Sequence, residues 1–532
     1  MNHRLLLVAA AAAAIASTAA SQSNTVAGLD GNLYDIGSPT VWGRRGPAKP
    51  NGEIGFSGSN TMCNPGTVPI PWFAQMAENH PKFGFMMVRV TNDRMVQISD
   101  RSYCKHAFLS LNSGSGPCLP CSNPGASGNQ MLIGCSDVYS ASNNGSRSNL
   151  GPADEIDPWL GTWNHVGSYF DRGDPDVGPP GNVDGVQNSI SAPDQVKNRV
   201  TIKDSDLLVP NSQFFFQIHL LHQGEAVANR GNNLRNRGLS FTDSPTATGG
   251  YSVASVGNSF GGSVLTRWTG STLNVGGNGV DDGRIEIAVK VTGPTNGLWH
   301  YEYAVHNIDN NRGAAAMHLP ACTTARILNS GFRDIDTNAL NDWSQTNSGG
   351  ELLYSAPAGN ALRWNMLFNF WFDSDAAPVA GNATFDEALV GPGALSFTVP
   401  TQVPGYVPNI YLGAGCGTPG VTLAPNGIAT DNPAFALVIS TAPFTPVFLF
   451  GGSAANAPLP PCTVYLGGTL QSFGFALTDV AGAASFPLPV PTGLVGQMAF
   501  QGASYMPGAG AFLGDFNLTN GVLARAGLSG CQ

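Results

Sequence analysis

The sequence predicts an all-β protein, built of several Ig-like or jelly-roll-like β-sandwich domains with many long loops. Three observations predict it. Gly and Pro supply 67 and 38 of the 532 residues, and both are poor in helix interiors. Hydrophobic residues make up 42%, enough to build cores rather than leave the chain disordered. Near the middle, Trp299, Tyr301, Tyr303 and Val305 alternate with His300, Glu302, Ala304 and His306, the period of two that marks a half-buried strand. Residues 284–291 alternate as well, and the link at 292–298 is rich in Gly, Pro and Asn. The two segments predict a β-hairpin. Its aromatic face is expected in a core, which leaves the face of His300, Glu302 and His306 open.

A chain of this length implies two to four domains. Residues 1–20 have the form of a secretory signal peptide: a basic start with Arg4, an apolar run over 5–16, then small residues at 17–20. The run is short of the ~20 residues a transmembrane helix needs, and no later stretch is apolar for long enough. The expected location is therefore secreted or extracellular, or periplasmic and cell-envelope, with no transmembrane segment in the mature chain. Residues 21–283 read as a cysteine-containing, loop-rich β region. Within it, strands are expected at 85–90 and 95–98, turning at 91–94, and at 104–111, 199–203 and 213–222. A basic, Asn-rich loop is expected at 229–238.

Residues 284–391 read as a central β-sandwich region that can be continuous with the one before it, with a further strand over 361–372. The four prolines of 392–408 predict a linker. Residues 409–532 read as a C-terminal β-sandwich module whose only charged side chains are Asp431, Asp479, Asp515 and Arg525. There Asn520-Gly521 predicts a tight hairpin turn.

The formal net charge of −10, with only six lysines, makes the chain a poor nucleic-acid binder. Nine cysteines in an exported chain permit disulfides but leave one thiol over; Cys531 is the expected odd one. Cys63, Cys118, Cys121, Cys135, Cys416 and Cys462 are the disulfide candidates. Cys118 and Cys121 have the C-x-x-C spacing of a redox pair, but no helical pattern follows, so structural bridges are expected.

His80, His106 and His219 are candidate ligands for copper or zinc, assembled from distant segments, although ordinary hydrogen-bonded histidines are the simpler reading. His219 and His222 fall on opposite faces of a strand. Asp171, Asp174 and Asp176 are candidate ligands for a calcium ion, which prefers oxygen donors; solvated turn carboxylates are the alternative. Gly257-Asn258-Ser259-Phe260-Gly261 matches G-x-S-x-G, but no helix pattern follows it, so a turn between strands is expected.

The segments Gly415-Cys416-Gly417, Leu477-Thr478-Asp479 and Phe486-Pro487-Leu488-Pro489 resemble a C-terminal module of large secreted proteins of planctomycete-type bacteria. Residues 301–307, 360–364 and 105–108, with Cys118, Cys121 and Gly134-Cys135-Ser136-Asp137, are similar to other parts of such proteins. The resemblance implies export and an all-β build. It brings no established activity and no functional residue.

The reading that follows is a non-catalytic extracellular or cell-envelope protein with a structural or adhesion role, and with envelope or extracellular polysaccharide as its expected partner. One alternative is a secreted copper or zinc enzyme with its site in 51–390. Another is a carbohydrate-binding protein using Trp159, Trp163 or Trp371.

Overall fold

In the computed structural model, residues 25–526 are described, except 75, 116, 119, 177–180, 280–282, 323–324 and 407–408. The protein is all-β and multi-domain, and its ladders are antiparallel. No helix of the described residues is long and apolar enough to cross a membrane.

Four sheets stack face to face. The first holds Asn32–Arg45, Glu53–Cys63 and Val200–Lys203, with Ser136–Tyr139 pairing on Glu53–Cys63. The second runs Tyr251–Gly261, Leu234–Asp243, Gln213–Leu221, Lys82–Thr91, Cys104–His106 and Leu150–Gly151, with Arg94–Gln97 on Lys82–Thr91. The third runs Thr272–Gly276, Ile285–Thr295, Leu298–Asn307, Met366–Ser374 and Ile327–Arg333. The fourth runs Ser344–Ser348, Glu351–Ser355, Ala314–Pro320, Ala377–Glu387 and Ser396–Tyr406.

Alternation along single strands builds the stack. Phe83, Phe85 and Met87 pack with Phe56, Phe216 and Ile54 in the core between the first and second sheets. Met86 and Val88, on the other face of the same strand, meet Ala288, Ala304 and Leu367 of the third sheet. Tyr301, Tyr303 and Val305 turn away from that contact into the core shared with Met317, Leu352, Phe385 and Val399 of the fourth sheet. The central hairpin is as expected: Ile285 pairs with Asn307 at its open end and Thr295 with Leu298 at its tip. Asn296 and Gly297 have φ of 53° and 77°, the left-handed conformation that a two-residue hairpin turn requires.

Backbone atoms that the ladders leave over are met across the inner interface. Asn365 Nδ2 donates to Phe85 O at 2.8 Å, Asn369 Nδ2 to Met95 O at 2.7 Å, and the Leu367 amide to Gln97 Oε1 at 2.8 Å. The second and third sheets thus belong to one body. Thr272–Gly276 already belongs to the third sheet, so that sheet begins ahead of residue 284.

Four local expectations need correction. Residues 392–408 are mostly not a linker, since Ser396–Tyr406 is a strand on Ala377–Glu387; Pro400 and Pro404 are tolerated because it is the sheet's edge strand. Asn520-Gly521 is not a hairpin turn but lies inside Phe516–Ala526; the Asn520 side chain instead ties to both the N–H and the C=O of Leu423 at 2.9 Å. The basic loop at 229–238 is half strand, because Leu234–Asp243 pairs with Gln213–Leu221. The strand over 104–111 is confined to Cys104–His106. The tail forms two sheets, one of five strands and one of three, around a core of Leu423, Leu437, Ile439, Leu449 and Val522.

Candidate binding cleft

The polar face of the central hairpin does not stay open along its length. His306 is fully buried, and Ala304 lies under the second sheet. Only His300 and Glu302, near the tip, reach a cleft. The opposite wall is the hairpin of Lys82–Thr91 and Arg94–Gln97, whose turn residues Asn92 and Asp93 have φ of 49° and 65°. The two hairpins enclose about 540 Å³, lined by Arg89, Arg94, Lys290, Arg333, Asp93 and Glu302 among others.

Ion pairs organise this cleft. Arg94 Nη2 lies 2.5 Å from Glu302 Oε2, and its guanidinium stacks 3.7 Å above the Trp371 ring. His300 sits 2.7 Å from Asp373 through Nδ1 and 3.2 Å from Glu302 through Nε2. Its hydrogen bond to Glu302 leads in raising its pKa, with Asp373 adding to the effect. Lys290 pairs with Asp93. Asp206 takes Arg89 Nη1 at 2.8 Å and stands 3.6 Å from Arg333 Nη2. Three side chains keep an unpartnered buried atom: Glu302, 4% exposed, at Oε1, Arg89, 9% exposed, at Nε, and the half-buried Arg333, at Nε. Donors outnumber acceptors, and one carboxylate oxygen remains to accept.

The histidine candidates come together only in part. His80 Nδ1 donates to Ala77 O at 2.5 Å, so its Nε2 accepts from His106 Nδ1 at 2.6 Å. This leaves His106 Nε2 as a bare lone pair, facing Gly151, where even a Cβ would stand only 2.9 Å away. Burial, the first cause, holds both histidines well below their ordinary pKa. His219 does not join them. It lies on Gln213–Leu221 in the field of Asp309 and Arg284, and burial pushes it down to about 3. His222 is likewise pushed to about 3 by burial, and its ring is 5.8 Å from Trp72. Among the described residues no three His, Cys, Asp or Glu side chains gather to hold a metal ion.

The acidic candidates are tied up by the protein itself. Asp171 accepts the amides of Gly167, Asp184 and Gly185 at 2.7, 3.2 and 3.0 Å, and these bonds hold its carboxyl below the usual range. Asp174 and Asp176 share the Lys197 ammonium at 2.6 and 2.8 Å. Lys197 stands where a cation would.

The structure pairs Cys63 with Cys118, Cys121 with Cys135 and Cys416 with Cys462, so the C-x-x-C cysteines belong to different bridges. Cys322 is also disulfide-bonded. The free thiol among the described residues is the buried Cys104; Cys531 lies outside them. Ser259 of the G-x-S-x-G match lies within the strand Tyr251–Gly261, accepting from Arg235 Nε at 2.9 Å. Trp159 and Trp163 are buried, 6% and 5% exposed.

Two lysines stand out. Lys82 and Lys105 are fully buried. Lys82 Nζ donates to Gly161 O at 2.7 Å. Lys105 Nζ has no hydrogen-bond partner and sits 4.7 Å from the Phe108 ring centre. Burial lowers both from 10.5 to about 7. Between those values the folded protein has released these protons while the unfolded chain still holds them, so stability rises with pH and is lost again as pH falls through about 7. Urea midpoints are expected to climb from pH 7 to pH 9. Lys105→Met is expected to flatten part of that climb and to stabilise the protein at pH 7 by about 1–4 kcal/mol, since it removes a buried, unpaired charge. Equal midpoints for the two proteins at pH 7 would refute this.

Sequence reasoning missed the cleft residues Arg89, Arg94, Lys290 and Arg333. The turn at 91–94 was legible, but its partner strand is roughly two hundred residues further along the chain, and no short-range pattern marks such a meeting.

No family model matches the chain, and no curated protein does either. Among solved structures, two crystal structures of BcpA, the major pilin subunit of Bacillus cereus, are similar at 10% identity and a TM-score of 0.18. One, a point variant, aligns over 59% of this chain and 79% of that one; the other aligns over 61% and 88%.

Proposed function

We propose that this chain is a non-catalytic protein of the cell exterior or envelope, with a structural or adhesive role and polysaccharide as its partner. The observation that carries this is what its titratable groups do. Arg284 clasps the buried Asp309 at 2.7 Å, Arg94 joins the second sheet to Glu302 of the third, and His80 caps His106. General acid–base catalysis needs such groups free to meet a substrate; here they tie structural elements together. The disulfides accord with an oxidising compartment. The signal-peptide reading of residues 1–20 supports export.

Elemental analysis of the purified mature protein tests the reading against the metal-enzyme alternative. Copper, zinc and calcium are each expected well below one atom per chain. One copper or zinc per chain, retained through dialysis, would overturn it.

A further inference from the structure

We propose that the cleft between the two hairpins binds an acidic saccharide, a sugar bearing a carboxylate or sulfate among its hydroxyls. This deepens the non-catalytic reading and rests on it.

Charge is the first argument. Four fixed cations, Arg89, Arg94, Lys290 and Arg333, line the cleft against two lining carboxylates, Asp93 and Glu302. Asp206 is shared by Arg89 and Arg333. With Asp206 counted, four fixed cations face three carboxylates, a small positive excess on a chain whose formal charge is −10. It favours an anion of low charge. A phosphate chain would meet both lining carboxylates, whereas one carboxylate or sulfate can draw on Lys290, whose partner Asp93 is exposed, and on Arg333, which Asp206 holds only at 3.6 Å.

The unpartnered atoms are the second argument. Arg89 Nε has a proton to donate and Glu302 Oε1 has lone pairs to receive one, and both side chains are nine-tenths buried or more. A lone anion satisfies the first and repels the second. A sugar suits both side chains, with its charged substituent accepting from a guanidinium and a hydroxyl donating to the Glu302 carboxylate. The volume of about 540 Å³ lies within the ~300–1,000 Å³ of small-molecule sites.

The test is calorimetric titration of the purified mature chain with oligogalacturonate, its methyl ester and a sulfated oligosaccharide, together with a reducing-end assay on the same mixtures. Oligogalacturonate or the sulfated probe is expected to bind, at least about tenfold more tightly than the neutral ester, and to weaken as salt is raised. Lys290→Ala with Arg333→Ala is expected to cost at least about tenfold in affinity with an unchanged circular dichroism spectrum. Should that double variant fail to fold, Lys290→Ala alone, whose partner Asp93 is exposed, takes its place. Binding of neither charged probe, equal binding of the ester, or undiminished binding by the folded variant would each overturn the proposal. Binding with new reducing ends would keep the cleft as a saccharide site and overturn the non-catalytic reading. Failure to bind, with no metal found, would leave that reading standing and the cleft without this ligand.

Discussion

Replacing Arg284 by Met is expected to destabilise the protein by about 3 kcal/mol or more, because it strands a buried carboxylate. Asp309 is fully buried and takes the Arg284 guanidinium through Nε and Nη2 together, at 3.1 and 2.7 Å to Oδ2. Burial alone would raise the Asp309 pKa, but Arg284, and more weakly His219 and Arg230, reverse this and hold it below the ordinary 3.8. The sign of the pH effect follows. A carboxylate depressed in the folded state adds stability that is present above the unfolded pKa and is lost as pH falls through the lower folded value. The gap between wild type and Arg284→Met in urea midpoint should therefore be widest near neutrality and narrow below about pH 4. Adding Asp309→Asn to Arg284→Met should recover most of the loss, because no uncompensated charge then remains. A double variant no more stable than the single one would show that the arginine acts through its packing.

Trp364→Ala is expected to cost about 3–5 kcal/mol. The ring is 2% exposed and packs with Phe170, Trp163 and Leu221 of the loop-rich region. Its Nε1 donates to Ala153 O at 3.0 Å, a bond that joins residues far apart in the chain. Gly84 leaves the room it needs; a Cβ there would stand 3.1 Å from the ring. Truncation opens a cavity and removes this bond at once, although the Ala153 carbonyl keeps the Ile156 amide. Differential scanning calorimetry should show the transition of the four-sheet body moving down while that of the tail sandwich, which has its own core, stays in place. A fall of both together would mean that the two melt as one unit.

The elements that sequence reasoning located were those carried by short-range pattern. Alternation placed the strand Leu298–Asn307 within a residue at its start, and the apolar face of Phe214, Phe216, Ile218 and Leu220 marked Gln213–Leu221. Errors arose where tertiary contact overrode a local signal. Asn520-Gly521 has turn chemistry, yet a neighbouring sheet offers Asn520 two backbone partners, and the strand runs on through it. Prolines at 400 and 404 suggest a break, yet an edge strand tolerates them. The two-sided burial of Met86 and Phe85 has no sequence mark that separates it from an ordinary strand. The site was less legible still. His80 and His106 do meet, but as a closed pair, and the cleft is made of charges whose convergence depends on how whole sheets pack.

Cys104 carries a consequence for reactivity. Its thiol is buried, and burial pushes it up to about 12. The thiolate is the species that attacks disulfides and alkylating agents, so the folded chain keeps this thiol inert while four other cysteines of the same region are bridged. Opening the strand pair of Lys82–Thr91 and Cys104–His106 returns that sulfur to water and to the ordinary thiol range. Its alkylation rate thereby becomes a clock for the opening of that sheet, and disulfide exchange at this position is confined to molecules that have already come apart.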